Sequence, residues 1–270
     1  IHEFSHHPSA TDDVLFHKLE GERLIDKPHK HDFFIIILFE QGKGIHSIDF
    51  VDYPIESRQI HLMYPDQVHQ WKIEQGTIGY QLMISRKWFE SFLPSLRFSA
   101  SYYQSHPTFN VSEEEYQLFL HEFRSIQKEL NEKNSNREII QTRSLLIGLL
   151  VGKSVEKIST DFEIYNSNPI LSKFLTLINQ HFRQEHSVSF YAEKLYISAN
   201  YLNIVCRKNL NSSASTLIQN RILLEAKRLL KVSDMPVKSI VYELGFYDHA
   251  NFSKFFKSQT GMTPSQFKEG

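Results

Sequence analysis

Short apolar segments separated by turn residues fill roughly the first hundred positions of the chain. Residues 33–39 form a β-branched and aromatic run, which is typical of a strand buried on both faces. Residues 45–50 alternate apolar and polar side chains, as a half-buried strand does, and residues 60–64 and 77–84 are two further strand candidates. Short strands at this spacing predict a β-sandwich or a β-barrel.

Helical spacing replaces this pattern beyond Ser112. Ser112 and Glu115 have the positions of a capping box, so a helix is expected to begin there. Its apolar stripe comprises Tyr116, Phe119, Leu120, Phe123, Ile126 and Leu130. A second helix over about 138–153 is apolar enough to need a partner surface, which is either the β-rich part or a second copy of the chain.

The polar stretch 159–169 ends in Asn-Ser-Asn-Pro and is the best candidate for a linker. We therefore expect an α+β protein of two domains. Residues 1–158 are β-rich to about 100 and helical over 112–158, and residues 170–270 are entirely helical. The first domain is predicted to bind an effector and to contribute to a homodimer.

One helix-turn-helix pattern occurs twice in the helical domain, at 188–208 and 237–257, and a long helix over 215–230 lies between the copies. Ser198 and Asp248 are expected to cap the second helix of each copy, and Gly245 supplies backbone freedom at the second turn. The residues expected to face inward are Tyr201, Leu202 and Val205 in the first copy and Phe252, Phe255 and Phe256 in the second.

The outward positions carry side chains suited to reading DNA. They are Asn200, Asn203, Ile204 and Arg207 in the first copy, and His249, Ala250, Asn251, Lys254 and Lys257 in the second. Asparagine can read adenine edges, arginine and lysine can read guanine, and small apolar groups can meet thymine methyls. Lys208 and Lys257 are expected to hold phosphates. A helical bundle with a solvated polar face would explain either copy alone, but two copies favour double-stranded DNA as the partner.

Charge and composition add to this picture. Residues 169–270 contain 13 Lys and Arg against 7 Asp and Glu, a net charge of +6, whereas the remainder has a net charge of −7. A basic part beside an acidic part fits a nucleic-acid module joined to a domain that avoids nucleic acid. Cys206 is the single cysteine, which is compatible with a reducing cytosol. The longest apolar runs are too short to cross a bilayer, so we expect a cytoplasmic protein without a membrane partner.

The second copy closely resembles the AraC/XylS family of bacterial transcription regulators. The resemblance rests on Ile240, Gly245-Phe246, Phe252-Ser253 and Phe255-Phe256-Lys257, followed by Gly261, Thr263-Pro264-Ser265 and Phe267, and it covers roughly 170–268. It implies seven helices, with the 215–230 helix holding the two recognition helices about 34 Å apart, one turn of DNA. The first copy departs from the family pattern, because Cys206 replaces the usual aromatic residue and Asn211 the usual glycine.

The same resemblance implies base contacts at Asn200, Asn203, Ile204 and Arg207 and at His249, Ala250, Asn251 and Lys254. It also implies RNA polymerase as a partner and leans towards activation. The main hypothesis is therefore a transcription regulator controlled by a small molecule, without catalytic residues.

Two short motifs over about residues 10–100 resemble the half-motifs of a cupin barrel, Pro28-His29-Lys30-His31 and Pro65-Asp66-Gln67-Val68-His69. His29, His31 and His69 have the spacing of a three-nitrogen metal site. Metal-binding cupins usually add a glutamate about four residues after the second histidine, and residues 33–39 contain no carboxylate. We therefore expect these histidines to line a ligand pocket, with no metal and no cofactor. The alternative hypothesis is a metal-dependent cupin enzyme with a helical appendage.

Overall fold

The structure is a computed structural model that describes residues 11, 13–96, 100–158 and 168–270. The chain divides into two compact units, one before and one after the boundary between residues 159 and 160. Of the predicted linker over 159–169, residues 159–167 lie outside the described part of the chain. None of the helices in the described part of the chain is long and apolar enough to span a membrane.

Two antiparallel sheets form the β-rich part of the first unit. The strands are β1 (Val14–Glu20), β2 (Arg23–Lys30), β3 (Phe34–Gln41), β4 (Gly44–Ile48), β5 (Val51–Pro54), β6 (Gln59–Met63), β7 (Val68–Ile73), β8 (Ile78–Ile84) and β9 (Thr108–Asn110). One sheet has the order β1-β8-β3-β6-β9 and the other β2-β7-β4-β5. The first eight strands thus follow the order of a jelly roll. The α+β class is confirmed, with two packed sheets in place of a closed barrel.

The two sheets pack against each other through apolar side chains of both inner faces. Ile35 and Ile37 of β3 share one core with Ile48 of β4 and Trp71 and Ile73 of β7. Strand β3 pairs with β6 on one side and β8 on the other, so it is the third of five strands in its sheet. The outer face of β3 is also covered, since Phe34 stacks on Phe89, which follows β8, at a centroid distance of 4.2 Å. Strand β3 is therefore apolar on both faces.

Four of these strands, β3, β4, β6 and β8, were predicted from their apolar pattern, and their presence is confirmed. Strands β1, β2, β5, β7 and β9 were not predicted. Strand β2 is mostly exposed or half-exposed, and its sequence Arg-Leu-Ile-Asp-Lys-Pro-His-Lys has no simple alternation. Its pairing with β7 is interrupted by an irregularity between Ile25 and His29, which removes the period of two from the sequence.

Helices complete the first unit: α1 (Arg86–Phe92), a short 3-10 helix (Leu93–Ser95), α2 (Ala100–Ser105), α3 (Glu113–Leu130) and α4 (Arg137–Ile158). The capping box is confirmed, because the Ser112 hydroxyl accepts from the Glu115 amide at 3.2 Å and the Glu115 carboxylate accepts from the Ser112 amide at 3.1 Å. All six residues of the predicted α3 stripe are buried.

The longer helix α4 buries only one side. Ile140, Ile147 and Val151 are buried, whereas Ile139 and Leu146 remain about 40% exposed. Leu149 is exposed to the same extent. The first unit therefore buries only part of the apolar surface of α4 from which a partner surface was predicted.

The second unit contains seven helices in its described residues 168–270, the number that the family resemblance implies. They are α5 (Pro169–His181), α6 (Val188–Lys194), α7 (Ala199–Leu210), α8 (Ala214–Val232), α9 (Val237–Glu243), α10 (His249–Thr260) and α11 (Pro264–Glu269). Helices α6 and α7 form the first helix-turn-helix copy, and α9 and α10 form the second. One apolar core of the unit includes Leu202 of α7, Ile222 of α8 and Phe252 of α10, so the long α8 shares a core with both copies.

Candidate nucleic-acid interface and histidine pocket

Helix α7 has well-defined ends. The Ser198 hydroxyl accepts a hydrogen bond from the Tyr201 amide at 3.1 Å and caps the first turn, as predicted. At the other end Asn211 adopts the left-handed backbone conformation at φ 49°, where the family usually has glycine. Cys206 is fully buried with Leu202 and Val205, so the smaller side chain is accommodated in the core.

The opposite side of α7 is exposed. Asn200, Ile204, Arg207 and Lys208 are all exposed, as the sequence predicts. Tyr201 was predicted to face inward, which is wrong, because its side chain is 48% exposed. Helical spacing could not decide this case, since Tyr201 and Leu202 both lie three or four residues before Val205. Tyr201 therefore adds an aromatic ring at the N-terminal end of this helix.

Asn203 differs from the other predicted base-reading residues. Its side chain is half-buried, and its amide nitrogen donates to the Ala199 carbonyl oxygen at 3.1 Å. Its amide oxygen accepts from the backbone amide of Ala214, the first residue of α8, at 3.0 Å. Asn203 thus joins the first recognition helix to the connecting helix.

Helix α10 resembles α7 in having a side-chain N-cap, one buried face and one exposed face. The Asp248 carboxylate caps it by accepting from the Asn251 amide at 2.8 Å and from the Asn251 side chain at 2.6 Å. Phe252 and Phe256 are buried, and Phe255 is partly buried beside them. The predicted outward residues are all exposed: His249, Ala250, Asn251, Lys254 and Lys257.

The turns of the two copies share one unusual backbone position. Gly245 has φ 73° after α9, and Tyr196 has φ 57° at the equivalent place after α6. A Cβ at Gly245 would overlap the carbonyl oxygen of Arg183, which follows α5. Tyr196 and Tyr247, in the two turns, are each 96% exposed.

A charged cluster centred on Glu225 ties the helices of the second unit together. Glu225 of α8 accepts from Arg183 at 2.7 Å and from Arg221 at 3.0 Å, and Arg228 lies 3.7 Å away. Arg183 also donates to Glu243 of α9 at 3.0 Å. Burial alone would raise the pKa of Glu225, but the surrounding arginines outweigh burial, so this pKa lies below its ordinary value. The cluster supports the second turn, since Arg183 is the residue that Gly245 approaches.

A cavity of about 450 Å³ lies in the first unit. Its apolar lining includes Leu15, Leu19, Ile25, Phe33, Trp71 and Met83, and its polar lining comprises His17, Arg23, His29, His31, His69 and Gln81. A mostly apolar cavity with a few polar groups is the usual form of a small-molecule site. The cavity therefore brings together all three histidines that the sequence singled out.

These three histidines converge because of strand register. His29 pairs with His69 across β2 and β7, and His31 follows two residues later on the same side of the chain. The ring centroids lie 4.2 Å apart for His29 and His69 and 4.8 Å apart for His29 and His31. One ligand nitrogen of each residue lies within 4.8 Å of the other two.

Two further histidines, which have no ligand spacing in the sequence, extend this group into the core. His46 Nε2 lies 2.9 Å from His69 Nδ1, and His46 Nδ1 lies 2.9 Å from His61 Nδ1. Burial lowers the pKa of His61 to about 3, and burial together with the neighbouring histidines lowers the pKa of His46 and of His69 well below the ordinary range. All three rings are therefore neutral at pH 7. No sequence motif marks the contact between His46 and His61, since it joins β4 of one sheet to β6 of the other.

Two family models match the chain in the order of its two units. Residues 22–150 match the AraC-like ligand binding domain, and residues 191–270 match a helix-turn-helix domain. The fold and the two matches define a protein that joins a ligand-binding jelly roll to a tandem helix-turn-helix unit. The chain belongs to the AraC family.

Relatives match over most of their length. The chain is 23% identical over 245 residues to the uncharacterized HTH-type transcriptional regulator YfiF of Bacillus subtilis, covering 89% of this chain and 78% of YfiF. It is 23% identical over 250 residues to the HTH-type transcriptional activator RhaS of Enterobacter sp., covering 90% of this chain and 87% of RhaS. Among solved structures, ToxT from Vibrio cholerae matches with a TM-score of 0.47 and 15% identity over 95% of this chain and 96% of ToxT.

Proposed function

We propose that this chain is a transcriptional regulator that binds a specific double-stranded DNA site through α7 and α10 and responds to a small molecule held in the first unit. The observation that carries the proposal is the pair of capped helices whose outer faces are exposed and polar or basic. A helix whose N-terminal turn is exposed to solvent can enter the major groove, where each base pair is distinguishable. Two such helices can dock in successive grooves about 34 Å apart.

The contacts of each residue suggest its role at the interface. Asn200, Arg207 and Lys254 are exposed and suited to base edges, whereas Lys208 and Lys257 are suited to phosphates. Ile204, Ala250 and the ring of Tyr201 offer apolar contacts to thymine methyls or sugars. His249 and Asn251 lie in the first turn of α10, where side chains reach bases or the backbone. Asn203 acts as a positioning residue, because its amide joins α7 to α8.

The cavity with its three histidines is the proposed effector site. The effector acts by binding one arrangement of the units or of two copies of the chain more tightly than another. We propose activation, which involves contact with RNA polymerase, since RhaS is named an activator. We also propose that the chain acts in the cytoplasm and is not an enzyme, which is consistent with the regulators that it resembles.

The test begins with selection of binding sites for the full chain from a random duplex library. Fluorescence anisotropy then compares the enriched duplex with a scrambled one at several salt concentrations. Arg207→Ala and Lys254→Ala should each weaken binding to the enriched duplex by about 1–3 kcal/mol. Lys208→Ala and Lys257→Ala should weaken both duplexes alike and reduce the slope of log K against log salt by about 1 each.

Lys133→Ala is the charge-matched control, because Lys133 is exposed in the loop between α3 and α4 of the other unit. It should change neither the affinity nor the salt slope. Selection that enriches no sequence would contradict specific DNA binding. Unchanged affinity in both Arg207→Ala and Lys254→Ala would contradict the proposed docking.

A further inference from the structure

The buried histidines form a chain of hydrogen bonds whose direction is fixed at one end. The side-chain oxygen of Gln59 accepts from the backbone amide of Glu56 at 3.0 Å. His61 Nε2 lies 2.7 Å from the same oxygen. Because this oxygen can only accept, His61 must carry its proton on Nε2. In a neutral ring, His61 Nδ1 is then left with a lone pair.

The direction passes from ring to ring. His61 Nδ1 accepts, so the Nδ1 of His46, 2.9 Å away, must donate. The Nε2 of His46 then carries a lone pair and accepts from His69 Nδ1 at 2.9 Å. His69 therefore holds its proton on Nδ1 and presents a lone pair at Nε2.

This last nitrogen lies at the cavity. His69 is 2% exposed and lines the cavity, and its Nε2 has no hydrogen-bond partner among the residues that the structure describes. A buried acceptor without a donor is unfavourable, so such an atom commonly marks a bound ligand, water or ion. The lone pair on His69 Nε2 is thus available to a ligand in the cavity.

His29 also donates through Nδ1 and carries its lone pair on Nε2. Its Nδ1 lies 3.2 Å from the carbonyl oxygen of Lys27 and must donate to it, which leaves a lone pair on Nε2. Histidines that bind metals commonly donate their second ring nitrogen to a carbonyl oxygen or another acceptor, which fixes the ring orientation. His29 has the Lys27 carbonyl in this role, and His69 has His46.

We propose that His29, His31 and His69 bind one divalent transition-metal ion, with a coordination position open to the cavity. Three imidazole nitrogens without a thiolate or a carboxylate favour zinc, nickel or copper over magnesium or calcium. Nitrogens at about 2.0–2.1 Å from a tetrahedral ion lie about 3.4 Å apart. The three ligand nitrogens now lie within 4.8 Å of one another, so binding would draw the half-exposed His29 and His31 towards the buried His69.

The glutamate that metal-binding cupins usually supply is missing, so the sequence predicts no metal. The hydrogen bonds through His46 and His61, which join distant strands, orient the His69 ring in its place. The metal site does not depend on the proposed DNA binding. A chain that binds DNA but takes up no metal refutes only the metal site, and a chain that takes up metal but binds no specific DNA refutes only the proposed function.

The experiment uses the full chain without a histidine tag, treated with a chelator and then titrated with Zn²⁺ by calorimetry. One ion per chain is expected, and His29→Ala and His69→Ala should each weaken binding at least 100-fold. His121→Ala is the matched control, because His121 is 71% exposed on α3, and it should leave the affinity unchanged. Titration with Co²⁺ should give the visible absorption of a low-coordinate nitrogen site, which His29→Ala should abolish.

His46 is a positioning residue in this proposal, and its variant tests the hydrogen-bond chain. His46→Phe should retain one ion per chain with an affinity about 10–100-fold lower. Circular dichroism checks the fold of each variant, and the half-exposed His29→Ala keeps the test decisive if His46→Phe does not fold. No saturable binding of Zn²⁺, or an equal loss in His121→Ala and His29→Ala, would overturn the metal site. Unchanged Zn²⁺ affinity in a folded His46→Phe would overturn the role of the hydrogen bonds that run from Gln59 to His69.

Discussion

Tyr196 and Gly245 occupy the same left-handed backbone position in the two helix-turn-helix turns, but only one of them is a glycine. A non-glycine residue in this conformation is strained, because its Cβ approaches the following carbonyl. At Gly245 the missing side chain also allows close approach to the Arg183 carbonyl oxygen. The first copy therefore carries a strained residue, whereas the second copy needs glycine for two reasons.

We expect Tyr196→Gly to raise the free energy of unfolding by about 0.5–1 kcal/mol, because it relieves backbone strain at an exposed site. Gly245→Ala should lower it by about 2–4 kcal/mol, since strain and overlap add. Denaturant unfolding followed by far-UV circular dichroism measures both changes.

Gly261→Ala separates the two effects at Gly245. Gly261 has φ 77° at the end of α10, and a Cβ added there would meet no atom within 4 Å. This variant should lose about 1 kcal/mol from strain alone. Equal losses in Gly245→Ala and Gly261→Ala would contradict the proposed overlap with Arg183.

Single residues also show the limit of sequence-based prediction. The caps Ser198 and Asp248 were predictable, because capping depends on residue type and near neighbours. The bond of Asn203 to Ala214 was not, since the two residues lie eleven positions apart on different helices. The direction of the histidine chain likewise depends on contacts between distant strands.

Among the elements, α8 is held by charge as well as by apolar packing. Glu225 is 7% exposed and lies beside Arg183, Arg221 and Arg228. Removing one partner of a buried ion pair leaves the other charges uncompensated. The orientation of α8 relative to α5 and α9 therefore depends on this carboxylate.

Glu225→Gln should destabilise the second unit by about 3 kcal/mol at neutral pH. The folded pKa of Glu225 lies below its ordinary value of 4.5, so its contribution is complete above that pH and is lost as the pH falls through the folded pKa. Unfolding curves between neutral and acid pH should show a smaller loss of stability on acidification in the variant than in the parent chain.

Glu243→Gln is the control for this change. Its side chain also pairs with Arg183 but is 42% exposed, so its loss should cost no more than about 1 kcal/mol. If Glu225→Gln were as mild as Glu243→Gln, the cluster would not hold α8.

Prediction at the scale of elements succeeded where the periodicity was strong. The α3 stripe and the long α8 were evident from apolar spacing, and the central strand β3 was evident from its continuous apolar run. Strand β2 was missed, because an irregular pairing removes its alternation, although it supplies His29. The sequence therefore predicted the histidines of the cavity from their motif, but it did not predict strand β2, which carries His29.

For the whole molecule, the exposed stripe of α4 supports a homodimer. Ile139, Leu146 and Leu149 recur at intervals of seven and three residues, so they share one face of the helix. Two copies related by a two-fold axis would bury the same stripe against itself. Such a dimer would contain four recognition helices in total.

We expect sedimentation velocity to show a dimer for the parent chain and a shift towards monomer for Leu146→Glu, because a carboxylate would be buried in the interface. Leu118→Glu is the matched control, since Leu118 is 48% exposed on α3 outside this stripe. A monomeric parent chain, or an equal shift in both variants, would contradict dimerisation through α4.

The contact between His46 and His61 has a consequence for folding. His46 belongs to β4 of one sheet and His61 to β6 of the other, so their hydrogen bond crosses the apolar core between the sheets. Apolar side chains tolerate a range of relative positions, whereas a hydrogen bond requires one. If β6 slipped by one residue, Ile60 or Leu62 would replace His61 and leave the buried Nδ1 of His46 without its acceptor. These two rings therefore select a single alignment of the sheets from several that would bury similar apolar area.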